Sequence, residues 1–298
     1  MFRCHGLAAR FGPPLAFVPW KLNQPTFLVG CARSGTTLLS NLLSVHPELC
    51  IFPTEANDWW FPGRYPWRKA ALHGQPPLWK DPGGVSRANL DALPAGHDRK
   101  MRAVFRLYQL LQGGHRFFTK SAMNLWMTDW IQQSFPGARL ILLVRDGHSV
   151  ALSYARKERG KIERDQEAFA RIGITPDLDV LTKQCAEAWA DHARESIRQE
   201  TEGPLSGDRA MVLRYEDFCL SPRENLLSLA RFMEISETPF EAVDLSGVDS
   251  TNFKARDSID SAQWDALTDI MSEGLRHYGY LDASQSRIAG SNLAKASD

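Results

Sequence analysis

The chain has 298 residues, 43% of them hydrophobic and 23% charged, the composition of an ordinary globular protein. Its 35 Lys and Arg are balanced by 35 Asp and Glu, which leaves no global basic field to draw in nucleic acid or an anionic membrane, although a local basic cluster can still hold a small polyanion. The cysteines (Cys4, Cys31, Cys50, Cys185 and Cys219) and the histidines are scattered without CxxC or HExxH spacing, so no metal is expected and a reducing, cytoplasmic setting is.

Residues 1–24 form an N-terminal extension whose apolar stretch Phe11–Val18 is short and broken by Pro13 and Pro14. It suits neither a signal-peptide core nor a membrane span, which needs roughly 20 apolar residues. Thr26–Gly30 is a short apolar run ending in glycine and predicts a buried strand. Leu38, Leu39, Leu42 and Leu43 recur with helical spacing, and His46-Pro47 ends that helix because a residue before proline disfavours the α conformation. Residues 53–100 are rich in Pro and Gly and carry Trp59, Trp60, Phe61, Tyr65, Trp67 and Trp79. They read either as an irregular lid on the acceptor side of a site or as a second hydrophobic cluster under long loops.

A helix follows over Met101–Gln112, then a strand over His115–Lys120 and a helix over Asn124–Phe135 ended by Pro136-Gly137. Arg139–Arg145 is a second buried strand, and Asp146-Gly147 turns the chain into a helix over His148–Arg159. A helix at Ala186–Glu200, a strand at Ala210–Arg214 and a helix at Pro222–Met233 complete the alternation, and 283–298 reads as a flexible tail. Strands alternating with helices at these spacings predict an α/β fold, a central parallel sheet flanked by helices on both faces. Without internal repeats or a linker, 1–298 reads as a single domain.

The segment Gly30-Cys31-Ala32-Arg33-Ser34-Gly35-Thr36-Thr37 has the glycine spacing of a phosphate-binding P-loop, whose backbone N–H groups and following helix N-terminus attract an anion. Thr36 stands where a nucleoside-triphosphate loop has its lysine, and the strand at 139–145 ends in Arg145 rather than in a magnesium-binding carboxylate. A kinase or ATPase therefore lacks its usual electrostatic parts, and no metal ligand is expected. Arg145 at a strand's C-terminal end, with Ser149 and Ser153 on one face of the next helix, makes a two-part clamp for a terminal phosphate.

The loop and its continuation to His46-Pro47-Glu48 resemble the 5'-phosphosulfate loop of the sulfotransferases that use 3'-phosphoadenosine 5'-phosphosulfate (PAPS), on the branch that includes the tyrosylprotein sulfotransferases. Arg139–Tyr154 resembles that family's 3'-phosphate site. Phe118-Thr119-Lys120-Ser121, Phe135-Pro136-Gly137-Ala138-Arg139 and Arg214-Tyr215-Glu216-Asp217-Phe218 match further family patterns in the expected order. The resemblance covers roughly residues 26–235, fainter to Tyr280, and implies a P-loop NTPase-like fold. It implies sulfuryl transfer from PAPS to an acceptor hydroxyl, with 3'-phosphoadenosine 5'-phosphate (PAP) as the other product. By family position Glu55 is the general base, with His115 and His148 as rivals and Glu48 as a solvated charge. Lys120 and Arg33 stabilise the leaving group. Arg33, Ser34, Gly35, Thr36, Thr37, Arg145, Ser153 and Lys254 contact the nucleotide, with Ser149 and Ser250 as weaker candidates, and Tyr215 either joins them near the adenine or packs in the core. The acceptor is expected to be a small molecule, a carbohydrate, a phenol or a lipid. A small-molecule kinase using ATP and magnesium, or a nucleotide-binding protein without catalysis, is the alternative.

Overall fold

The computed structural model describes residues 24–53, 93–113 and 115–281, together with Leu22, Glu55 and isolated positions between 71 and 91. Most of the N-terminal extension, the aromatic side chains of 59–79 and the tail at 283–298 lie outside the described residues. The strands are β1 (Thr26–Val29), β2 (Leu49–Ile51), β3 (Arg116–Lys120), β4 (Arg139–Val144) and β5 (Ala210–Arg214). They form one parallel sheet in the order β2-β3-β1-β4-β5, with Phe27 of β1 opposite Thr119 on one side and Leu140 on the other.

Side chains along a strand alternate between faces. Phe27, Val29, Leu140, Leu142 and Val144 therefore enter one core, while Leu28, Ile141, Leu143 and Leu213 enter another. Both faces are covered, which is why β1 and β4 read as unbroken apolar runs. Among the described residues the α-helices are, in chain order, α1 (Thr36–Leu43), α2 (His97–Leu111), α3 (Thr128–Ser134), α4 (Gly147–Ile162), α5 (Gln166–Ala170), α6 (Leu178–Glu202), α7 (Tyr215–Leu220), α8 (Pro222–Met233), α9 (Thr238–Glu241), α10 (Phe253–Arg256) and α11 (Ser261–His277). Val150 and Ala151 of α4, Trp189 of α6 and Met271 of α11 join the first core. Leu39 and Leu43 of α1 and Leu226 and Leu229 of α8 join the second.

Two elements differ from the sequence expectation for local reasons. The helix expected over Asn124–Phe135 is split into a 3-10 segment, Ala122–Met127, and α3, because Ser121 Oγ accepts the Met123 N–H at 3.2 Å and starts a tighter turn. Helix α6 begins at Leu178, well before Ala186, because the Asp177 carboxylate accepts the N–H groups of Asp179 and Val180, each at 2.9 Å.

The strand order places the site. From β1 the chain leaves through α1 toward β2 on one flank, and from β4 through α4 toward β5 on the other. Ligands of open α/β sheets bind where the winding reverses, outside the C-terminal ends of the strands. Here that crevice lies between β1 and β4.

Candidate active site

Two glycines shape the loop after β1. Gly30 has φ 143, and a Cβ there would stand 2.4 Å from the Leu143 carbonyl oxygen, so the loop leaves the sheet pressed against β4. Gly35 has φ 95, and a Cβ would stand 2.5 Å from the Tyr215 ring. Gly35 also caps α1 without a side-chain hydrogen bond, and the first turn holds no acidic residue. The first N–H groups of a helix have no partner inside it, so this end of α1 presents donors and a positive dipole to an anion. Thr36 and Thr37 add hydroxyls at the same turn. Ser34 is buried, and its Oγ has no hydrogen-bond partner among the described residues.

Lys120 closes one side of the loop. It ends β3, beside β1, and its Nζ lies 3.1 Å from Thr37 Oγ1 and 3.2 Å from Glu55 Oε1. The lysine is largely sheltered, whereas the Glu55 side chain is 44% exposed. A half-exposed ion pair contributes only about 0–1 kcal/mol to stability, so the arrangement matters for its position rather than for holding the fold. Sequence reasoning placed both residues, and the structure brings them together on the loop.

Arg145 closes the other side. It is 9% exposed, and it pairs with no carboxylate among the described residues, since the neighbouring Asp146 carboxylate pairs with His148 at 3.1 Å and caps Ser149 N–H at 2.9 Å. Its Nε donates to Asn252 Oδ1 at 2.9 Å, Nη1 to the Arg33 carbonyl at 3.3 Å and Nη2 to Thr251 Oγ1 at 3.1 Å. The guanidinium lies 4.2 Å from the Tyr215 ring centroid, a cation–π contact. Trp189 of α6 fixes the strand end by donating Nε1–H to the Arg145 carbonyl at 3.1 Å.

Arg33 joins the two sides. Its backbone has φ 76, its carbonyl accepts from Arg145, and its Nε donates to Ser153 Oγ at 3.0 Å. Ser153, on α4, is thereby held beside the Arg33 guanidinium. Ser149 instead donates Oγ–H toward the Asn252 carbonyl at 3.5 Å. Tyr215 packs in the core between Gly35 and Arg145 and donates its hydroxyl to the Asp249 carbonyl at 3.2 Å. Burial, then its hydrogen bond with Cys219, pushes that hydroxyl up to about 12, so it remains a neutral donor. Lys254 lies on α10, one turn beyond Thr251 and Asn252, and Ser250 Oγ faces the Asn252 N–H at 3.5 Å.

The rival histidines are placed differently. His148 is buried with Nδ1 on Asp146 and Nε2 2.8 Å from Thr268 Oγ1, and its ring stacks on Trp264 at 3.8 Å, so neither nitrogen faces the crevice. His115 precedes β3, at the opposite end of the strand from Lys120. Glu48 is not merely solvated: its Oε1 accepts the Ser236 N–H at 3.2 Å. Residues missed from the sequence are Thr251, Asn252 and Glu216. The first two sit in an irregular stretch without periodicity. Glu216 was visible only as part of a motif. Among the described residues no group of three or more His, Cys, Asp or Glu is placed to hold a metal ion.

A five-stranded parallel sheet flanked by helices, with a P-loop-type turn at its switch point, defines an α/β protein of P-loop-like fold. The chain belongs to the sulfotransferase family, whose sequence model matches residues 25–239. It is 25% identical to a protein-tyrosine sulfotransferase of Drosophila melanogaster over 214 residues, 70% of this chain and 38% of that protein. It is 26% identical to protein-tyrosine sulfotransferase 2 of Gallus gallus over 214 residues, 70% of this chain and 51% of that protein. The chain thus matches about half or less of the length of these relatives. Among solved structures, sulfotransferase STF9 from Mycobacterium avium shares the fold with a TM-score of 0.57 at 15% identity, over 92% of this chain and 81% of that one. The sulfotransferase domain from the curacin biosynthetic pathway shares it with a TM-score of 0.51 at 19% identity, over 87% of this chain and 99% of that one.

Proposed function

We propose that this chain moves a sulfuryl group from PAPS to an acceptor hydroxyl by in-line transfer. The observation that carries the proposal is the meeting of Lys120 Nζ with Thr37 of the phosphate loop and with Glu55, which sets a cation and a carboxylate at one edge of an anion site. The uncapped start of α1 and the hydroxyls of Thr36 and Thr37 hold the 5'-phosphosulfate. Arg145 and Ser153 hold the 3'-phosphate, and exposed Arg33 stands between the two subsites. The residues fit a donor with a single 5'-phosphate, since the loop lacks the lysine that a triphosphate needs.

Sulfuryl transfer resembles phosphoryl transfer in its loose transition state, so positioning and charge stabilisation do most of the work. Glu55 takes the proton of the acceptor hydroxyl as its oxygen attacks sulfur. The new oxygen–sulfur bond forms as the bond from sulfur to the 5'-phosphate oxygen breaks. Lys120, with Arg33, donates to that oxygen as PAP departs with the bonding electron pair. The acceptor is a small molecule, carbohydrate, phenol or lipid hydroxyl. The setting proposed for this activity is a reducing, cytoplasmic one.

Calorimetric titration with PAP, beside ADP and ATP with magnesium, tests the donor. Tight, metal-independent binding that requires the 3'-phosphate is expected, and preference for ATP with magnesium would turn the reading to a kinase. Arg145→Ala is expected to weaken PAP binding about a hundredfold, the loss of charge-assisted hydrogen bonds to a phosphate. Calorimetry beside thermal unfolding should show the binding loss exceeding the change in stability.

A further inference from the structure

Asn252 links Arg145 to a carboxylate without letting the two touch. Its Oδ1 accepts from Arg145 Nε at 2.9 Å, and its Nδ2 donates to Glu216 Oε1. That orientation is forced, because a guanidinium can only donate and a carboxylate accepts. Glu216 is fixed in turn: Oε1 also accepts the Asp146 N–H at 3.1 Å, and Oε2 accepts the Tyr280 hydroxyl at 2.6 Å. Burial, and then the charge of Glu216, hold the Tyr280 hydroxyl far above its ordinary range, so it stays a donor. The neighbouring Thr251 takes Nη2 of the same arginine, and the Tyr215 ring lies beneath it.

The consequence lies in which N–H groups of Arg145 remain. With Nε on Asn252, one Nη1 hydrogen on Arg33 and one Nη2 hydrogen on Thr251, the guanidinium keeps one N–H on each Nη without a partner among the described residues. This pair suits two oxygens of one phosphate. A direct Arg145–Glu216 ion pair would consume donors and cancel the charge that a phosphate needs. The neutral amide passes on the carboxylate's orienting hold while leaving the arginine's charge uncompensated.

We propose that Asn252, held by Glu216, is a positioning residue that aims Arg145 at the 3'-phosphate and thereby sets selectivity for a 3'-phosphorylated nucleotide over one that lacks it. The inference rests on the donor site proposed above. Asn252→Leu keeps the side chain's size and removes both hydrogen bonds. Asn252→Asp keeps its shape, places a carboxylate directly on Arg145, and keeps the idea testable should Asn252→Leu be unstable.

The experiment measures the affinities of wild type and both variants for PAP and for adenosine 5'-monophosphate, alongside thermal unfolding. PAP affinity is expected to fall about tenfold in Asn252→Leu and further in Asn252→Asp, as charge-assisted bonds to the phosphate are lost. Affinity for the monophosphate should stay within about twofold, since it does not use the clamp. A merely structural role would lower both affinities together with the unfolding temperature, and that result overturns the inference. A wild-type preference for PAP that persists unchanged in both variants overturns it alone. A wild type with no preference for PAP overturns the donor reading and takes the inference with it.

Discussion

Replacing Glu55 by alanine is expected to slow turnover by about 10²–10⁴-fold, the usual contribution of a positioned general base, while PAP affinity changes by less than about twofold. The split follows from what Glu55 touches. Its carboxylate meets Lys120 at 3.2 Å and its side chain is 44% exposed, at the edge of the anion site. Removing it leaves the start of α1, Arg145 and Ser153 in place, and relieves Lys120 of a competing anion. Initial rates with labelled donor on a hydroxyl acceptor, set beside calorimetry with PAP, would show the split. Full activity in Glu55→Ala would remove the base from the mechanism while leaving the family unchanged. The histidines offer no ready substitute, because His148 has both ring nitrogens engaged and His115 lies at the far end of β3.

Gly30→Ala is expected to destabilise the fold by roughly 3 kcal/mol and to abolish tight PAP binding, through combined backbone strain and overpacking. The new methyl would meet the Leu143 carbonyl oxygen at 2.4 Å, and Leu143 cannot retreat because it lies within β4, in register with Leu213 of β5. Whatever relief the chain finds must lift the phosphate loop off the sheet. Gly160 is the control: it lies within α4 with nothing within 4 Å of an added Cβ. Gly160→Ala should stabilise by about 0.5–1 kcal/mol, because alanine is the better helix former. Thermal and denaturant unfolding of the two variants would show opposite signs.

The buried strands were legible because both of their faces are covered. Thr26–Val29 and Arg139–Val144 are apolar runs bounded by turn residues, and the two phosphate motifs hang from their ends. Lys120 and Arg145 could be placed for the same reason, each being the charged residue that ends or follows such a strand. The strand β2 is only Leu49–Ile51, too short for any period to show. Helix α11, Ser261–His277, went unread although Asp260 caps it by accepting the Gln263 N–H at 2.8 Å. Sheet order was not legible at all, because it depends on which strands meet through space. The support of Arg145 was hidden for a related reason: Thr251 and Asn252 lie more than a hundred residues away in sequence, and an asparagine between a carboxylate and a guanidinium leaves no spacing signature.

Arg33 sets comfort against capability. Its φ of 76 belongs to the left-handed region, where a residue with a side chain sits about 1 kcal/mol above glycine's cost. The same residue supplies the carbonyl on which Arg145 rests and the guanidinium that reaches Ser153. Glycine would relax the turn and keep the carbonyl, yet it would erase the charge that stands between the two proposed phosphate subsites. At this one position a more restful backbone and a better grip on the donor are opposing goods, and the chain has settled for the grip.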